Sequence, residues 1–277
     1  MSYTSLLTLI DDSPDSERRI AYAIRLAAEH GAHLTGLVAV EQVAPPAGVR
    51  GVNRMIAERY VLDRSEQVRE HADRLCSAFV ERAKAGGVAS VDTRVAPGIP
   101  FEALLASGRY FDAVVLSRPH ADLQPGEMTI DATTDLVVEL GRPLLLVPQS
   151  WREEPASGQL LLAWSGTRES ARALSDAMPL LQRARQVDVC LVNVDQSVNG
   201  RGEDIRALLT RHGVNAVLHH EISDLDIGNA LLSRAADLGA DMIVMGAFGH
   251  SPLRQQIFGG VSRSVIGSSP VPVLMSH

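Results

Sequence analysis

SLLTLIDDSPDSERRIAYAIRLA at residues 5–27 and QLLLAWSGTRESARALSDAMPLL at residues 159–181 are two copies of one pattern, and their agreement decides the fold. They lie in ungapped register at an offset of 154, with Leu6 matching Leu160 and Ser16 matching Ser170. Each copy opens with a short aliphatic run, turns through acidic or hydroxyl residues, and continues as an Ala/Leu-rich segment of helical period. Asp15 and Ser16, or Glu169 and Ser170, supply helix-start chemistry. A second aliphatic run then follows in both, HLTGLVAVE (33–41) and VDVCLVNVD (187–195), with Val40 matching Val194. A strand, a crossover helix and a second strand specify a parallel βαβ unit.

The ends of the two halves also correspond. FDAVVLS (111–117) answers ADMIVMG (240–246) at an offset of 129, and RPLLLVP (142–148) answers SPVPVLM (269–275) at 127. The fall in offset places extra residues in the first half near 43–66, where QVAPPAGVRGVNRMIAERYVLDRSE reads as a loop leading into a helix. That insert is open to two readings, a lid or partner-binding element and an ordinary insertion. VDTRVA (91–96) and AVLHHEI (216–222) supply third strands, each followed by a helix, containing FEALLAS and GNALLSR. The expected fold class is therefore α/β, two doubly wound parallel sheets of about five strands with helices on both faces. The expected domains are 1–149 and 157–277, joined through the polar QSWREEPASGQ (149–159).

Composition narrows the function. A chain of 277 residues has room for two cores, and only 4% of it is aromatic, against a stacking platform for nucleic acid. A net charge of −7 also argues against nucleic acid or an anionic membrane surface as partner. Cys76 and Cys190 are too few and too far apart for a disulfide framework. The opening MSYTSLLTLIDDS has no basic leader, and no apolar run approaches the ~18 residues of a membrane helix. A cytoplasmic protein is expected.

MGAFGHSPLRQQIFGGVS (245–262) carries the chemistry: Gly246 and Gly249, then Gly259 and Gly260, around a nine-residue spacer. The stretch starts at the carboxyl end of the strand DMIVM, where doubly wound sheets bind ligands. Gly246 and Gly249 are able to take positive φ and bring N–H groups close to an anion. Gly259 and Gly260 precede the helix VSRSVIGSS, whose N–H groups and dipole favour phosphate. Bare main-chain amides would then form a polyanion seat. On the residues alone, tight turns and a helix start explain the same glycines.

The stretch resembles the nucleotide-binding signature G-x2-G-x9-G-[S/T] of the universal stress protein family, with Gly260 standing where Ser or Thr is expected. The first-strand turn, the alanine-rich first helix and the closing small-x-x-Pro-Val-Leu strand carry the resemblance through both halves. The chain is similar to two such domains in tandem, with the adenine-nucleotide alpha-hydrolase-like fold. The resemblance implies an adenine nucleotide, ATP or a relative, held in the second half by Ala163 and Ser165 after the first strand and Val194 after the second. Met245, Gly246, Gly249, Gly259, Gly260, Val261 and Ser262 fall at the phosphate end. Ser165 stands where the family has Asp, so the ribose meets a hydroxyl instead of a carboxylate.

In the first half Asp11 keeps that acid, but Ser117, Arg118, Pro119 and His120 replace the glycine motif, and proline has no N–H to offer. Two readings stand there: Arg118 and His120 bind another anion, or the half is degenerate and kept for packing. The resemblance further implies an intrachain pseudo-dimer packed through PLLLVP and VPVLM, association of two chains as a homodimer, and a non-enzymatic stress-response role. The rivals are a nucleotide hydrolase or transferase on the same scaffold, and a structural or signalling dimer without nucleotide. No G-x-S-x-G, G-x-x-x-x-G-K-[ST] or H-E-x-x-H occurs, and Lys84 is the only lysine. His219 and Glu221 share a strand face without a third metal ligand assigned nearby, so no metal is expected. His30 and His33 flank a helix end, where the dipole accounts for at least one of them. Asp224, Asp226 and Gly228 read as the turn that starts a helix.

Overall fold

The computed structural model describes residues 2–41, 43–45, 54–119, 128–153, 158–193, 202–249 and 260–277. The first half runs β1 (Ser5–Leu9), α1 (Ser16–His30), β2 (His33–Val40), α2 (Arg54–Ala85), β3 (Val91–Pro97), α3 (Pro100–Gly108), β4 (Ala113–Ser117), α4 (Ile130–Leu140) and β5 (Leu144–Val147). The second runs β6 (Gln159–Ala163), α5 (Arg168–Leu181), β7 (Gln186–Val192), α6 (Gly202–Arg211), β8 (Ala216–Glu221), α7 (Ile227–Leu238), β9 (Met242–Gly246), α8 (Val261–Ser268) and β10 (Val273–Ser276).

The two sheets do not stay separate. They fuse into one ten-stranded sheet of order β3-β2-β1-β4-β5-β10-β9-β6-β7-β8. Every pairing is parallel except β5 with β10, which run antiparallel with Val273 opposite Leu146 and Met275 opposite Leu144. Fusion hides one sheet edge of each half, and among the described residues β3 and β8 are the edges. Strand β5, LLLV, is buried at all four positions, as the aliphatic run of a strand covered on both faces should be. The antiparallel seam makes the strands of the two halves point in opposite directions.

Side-chain alternation sorts the helices onto two faces. Val187, Val189 and Leu191 of β7 join a core with α1, α2, α5 and α6, whereas Cys190 and Val192 join a core with α3, α4, α7 and α8. The insert becomes the start of α2, which is 32 residues long. Its later turns bury Ala72, Phe79 and Ala83, while Met55, Ile56 and Leu62 near its start are exposed. Residues 46–53 of the insert lie outside the described residues.

Helix starts follow the expected chemistry at shifted positions. Thr167, not Glu169 or Ser170, caps α5, its hydroxyl accepting the Ser170 N–H at 3.3 Å. Asp15 occupies the cap position of α1 but makes no side-chain cap bond; its carboxylate accepts from Gln149 at 3.0 Å and pairs with Arg18 at 3.2 Å. Asp226 caps α7 by accepting the Asn229 N–H at 3.4 Å, the turn read from the sequence. The dipole reading fails for His30. Burial, with Arg183 nearby, lowers its pKa to about 4, so its ring is neutral near pH 7. His33 is held sideways instead, by Ser90 at 2.7 Å and Asp92 at 3.3 Å.

Candidate functional site

In the second half the order β8-β7-β6-β9-β10 puts the topological switch point between β6 and β9. A cavity of about 350 Å³ opens there, beyond the strands' carboxyl ends. Ala163, Ser165, Met245, Gly246, Gly249, Gly260, Val261 and Ser262 all border it, so positions more than 80 residues apart in sequence are brought together. Val194 and Gly259 lie outside the described residues. The structure adds Cys190 and Val192 from β7, Asp226, Ile227 and Leu231 around the start of α7, Phe248, and Thr167 and Glu169 at the start of α5. Strand alternation was the available signal for Cys190 and Val192, which face α7. Glu169 was legible only as a helix-start residue.

The glycines do not take the backbone conformation expected. Neither Gly246 nor Gly249 has positive φ; the left-handed residue is Phe248, at φ 57°. What the two glycines provide is close approach. A Cβ on Gly246 would lie 2.4 Å from both the Glu169 carbonyl carbon and the Ser170 nitrogen. A Cβ on Gly249 would lie 2.7 Å from Glu169 Oε2 and 3.3 Å from Thr167 Oγ1. Gly246 thus lets α5 begin directly against the end of β9, and Gly249 itself sits against the Glu169 carboxylate.

The expectation of bare amides is likewise cut back. Ala247 N–H donates to the Ser276 carbonyl at 2.8 Å, and Phe248 N–H donates to Ser262 Oγ at 3.2 Å. Ser262 is therefore a partner of the loop through its oxygen. Gly260 does start α8, at φ −59° and ψ 151°, with no side-chain cap. Arg263 N–H already donates to the Gly260 carbonyl at 2.8 Å, so in the first turn of α8 the Val261 and Ser262 N–H groups are the ones without a partner among the described residues.

Among the described lining residues the charge is negative. Glu169 is only 5% exposed. Burial pushes its pKa up, but hydrogen bonds from Arg168, its own backbone N–H and Thr167 outweigh that and hold it below the ordinary glutamate value. Asp226, more exposed, is the second carboxylate, and no Lys, Arg or His is among the described lining residues. Cys190 is pushed up to about 12, chiefly by burial, so it lines the wall as a neutral thiol and not as a nucleophile.

His219 and Glu221 are engaged within the protein. Arg234 lies 2.7 Å from His219 Nδ1 and 2.8 Å from Glu221 Oε1, and Asp188 meets His219 Nε2 at 2.7 Å.

In the first half an arginine crosses the corresponding strand ends. Arg19, 3% exposed, rises from α1 and donates to Leu9 O at 3.0 Å and to Ser117 Oγ at 2.7 Å, bridging the ends of β1 and β4. It also pairs with Asp11 at 2.9 Å. Burial alone would raise the Asp11 pKa, but Arg19 and the Ser13 hydrogen bonds bring it below the usual value. The acid retained in this half is thus consumed internally, and at the position of Arg19 the second copy has Ala173. Arg118 reaches across to the other half. Its Nη1 donates to Ile266 O at 3.1 Å and to Gly267 O, capping the carboxyl end of α8 from the other half. His120 lies outside the described residues.

Comparison with known proteins agrees with this architecture. Residues 158–277 match the sequence model of the universal stress protein family. The fold is similar to that of a universal stress protein from Archaeoglobus fulgidus DSM 4304, with a TM-score of 0.76 at 16% identity over 98% of this chain and 97% of that one. It is also similar to a functionally unknown protein from Pseudomonas aeruginosa PAO1, with a TM-score of 0.59 at 17% identity over 99% and 92%. These likenesses establish the fold: two halves of the same α/β type in one chain. No curated protein sequence matches significantly. Among the described residues no helix is long and apolar enough to cross a membrane.

Proposed function

We propose that this chain, whose residues 158–277 form a universal stress protein domain, binds an adenine nucleotide, ATP or a relative, in the second-half cavity and acts as a non-enzymatic stress-response protein. The observation that carries this reading is the convergence of both glycine elements on one cavity at the switch point, with a size typical of small-molecule sites. Its walls divide by chemistry. Cys190, Val192, Ile227 and Leu231 give an apolar slot suited to a base, and Ser165, within 3.1 Å of Thr167, offers a hydroxyl to the ribose. The start of α8 supplies N–H groups to phosphate. The first half, with Arg19 across its crevice, serves as the structural partner, so we assign one site per chain.

The domains are placed at 1–149 and 157–277, with the β5–β10 seam as an intrachain pseudo-dimer interface, a cytoplasmic location, and homodimers as the further assembly. The test is mass spectrometry of ligands released from freshly purified protein, with thermal unfolding in added ATP and adenosine. A co-purifying adenine nucleotide, or a melting temperature that rises with ligand, is expected. No nucleotide and an unmoved transition would favour the structural dimer. ATP turnover that survives repurification would favour the enzyme.

A further inference from the structure

We propose that Glu169 sets the charge preference of the second-half cavity, so that it takes adenosine and its short phosphate esters in preference to ATP. This rests on the reading of that cavity as an adenine-nucleotide site. A helix start is where an incoming phosphate gains most from backbone N–H groups, and at α5 the protein has put its own anion there. The Glu169 side chain is 6% exposed, paired with Arg168 and set against Gly249. Gly249 belongs to the very element expected to hold phosphate.

Among the described residues compensation is weak. Arg168 pairs with Glu169 but is 81% exposed, so solvent and salt screen it. Asp226 adds a second, exposed carboxylate, and the described lining holds no cationic side chain. A phosphate chain entering this end meets like charge across a partly desolvated gap, and the opposition grows with each phosphate. The base and ribose, bound by the apolar slot and Ser165, do not sense it.

Calorimetric titration of wild type, Glu169→Gln and Glu169→Ala with adenosine and with ATP, in EDTA, tests this. Wild type is expected to bind adenosine about tenfold more tightly than ATP at low salt, and the gap is expected to narrow as salt rises. Glu169→Gln should leave adenosine affinity within about twofold and tighten ATP about tenfold. Glu169→Ala, which keeps no hydrogen bond to the helix start, should change the ratio in the same direction and guards against misfolding of either variant. An ATP-to-adenosine ratio that neither variant moves would overturn the role of Glu169 and leave the nucleotide site standing. Failure of both ligands to bind any of the three proteins would overturn both.

Discussion

Gly246 and Gly249 belong to the same motif, yet substitution by alanine should separate them. A Cβ on Gly246 meets two backbone atoms of α5 at 2.4 Å, more than an ångström inside the ~3.5–4.0 Å of a relaxed carbon contact. Backbone atoms at the start of a packed helix do not swing aside, so α5 or β9 must shift. Overpacking of that kind costs about 1–3 kcal/mol. In a protein of this size each kcal/mol lowers the melting temperature by roughly 2–4 °C. A Cβ on Gly249 instead meets the tip of the Glu169 side chain, which is able to rotate at an off-rotamer cost of about 0.5–1.5 kcal/mol. Thermal unfolding followed by circular dichroism should therefore show Gly246→Ala several degrees below wild type and clearly below Gly249→Ala. Equal melting temperatures for the two variants would refute the claim that Gly246 is there for helix–strand contact.

Further outcomes follow from other contacts. Arg19→Ala removes the bridge between β1 and β4 and leaves Asp11 without its partner, so chemical denaturation should report a loss of about 2–4 kcal/mol; a loss under about 0.5 would show that the crevice closes without Arg19. His30 has a folded pKa lowered to about 4, so between its unfolded value near ~6.5 and pH 4 the unfolded chain binds the extra proton. Stability should fall as pH drops through that window, and His30→Gln should flatten the fall in melting temperature between about pH 7 and 5. An unchanged slope would mean that other groups set the acid limb. Ser165→Asp gives the ribose hydroxyls a carboxylate and should tighten adenosine binding in calorimetry, whereas unaltered affinity would place the ribose away from the β6 turn. Gly249→Val should abolish nucleotide binding while the far-UV spectrum is retained.

The strands and helices were legible because aliphatic runs buried on both faces, such as PLLLVP, and Ala-rich periods leave marks over many residues. The seam could also be anticipated from those last strands. The site was legible in part, since its glycines and Ser165 sit at the carboxyl ends of strands that the repeat had already placed. What stayed hidden depended on single positions. Arg19 reads as one basic residue on a helix until folding sets it against Ser117, 98 positions away. Glu169 carries the same local signal whether it faces water or the cavity. The work done by Gly246 could not be told from torsional freedom either, because a missing side chain records space without naming what fills it.

The β5–β10 seam joins two parts of one polypeptide, so dilution cannot undo it: tethering keeps each partner at high effective concentration to the other. Paired separate subunits of identical sequence must both keep whatever pocket either one needs. Here the copies are free to diverge, and the amino-terminal one has laid an arginine across its strand ends while still completing the shared lattice of strands.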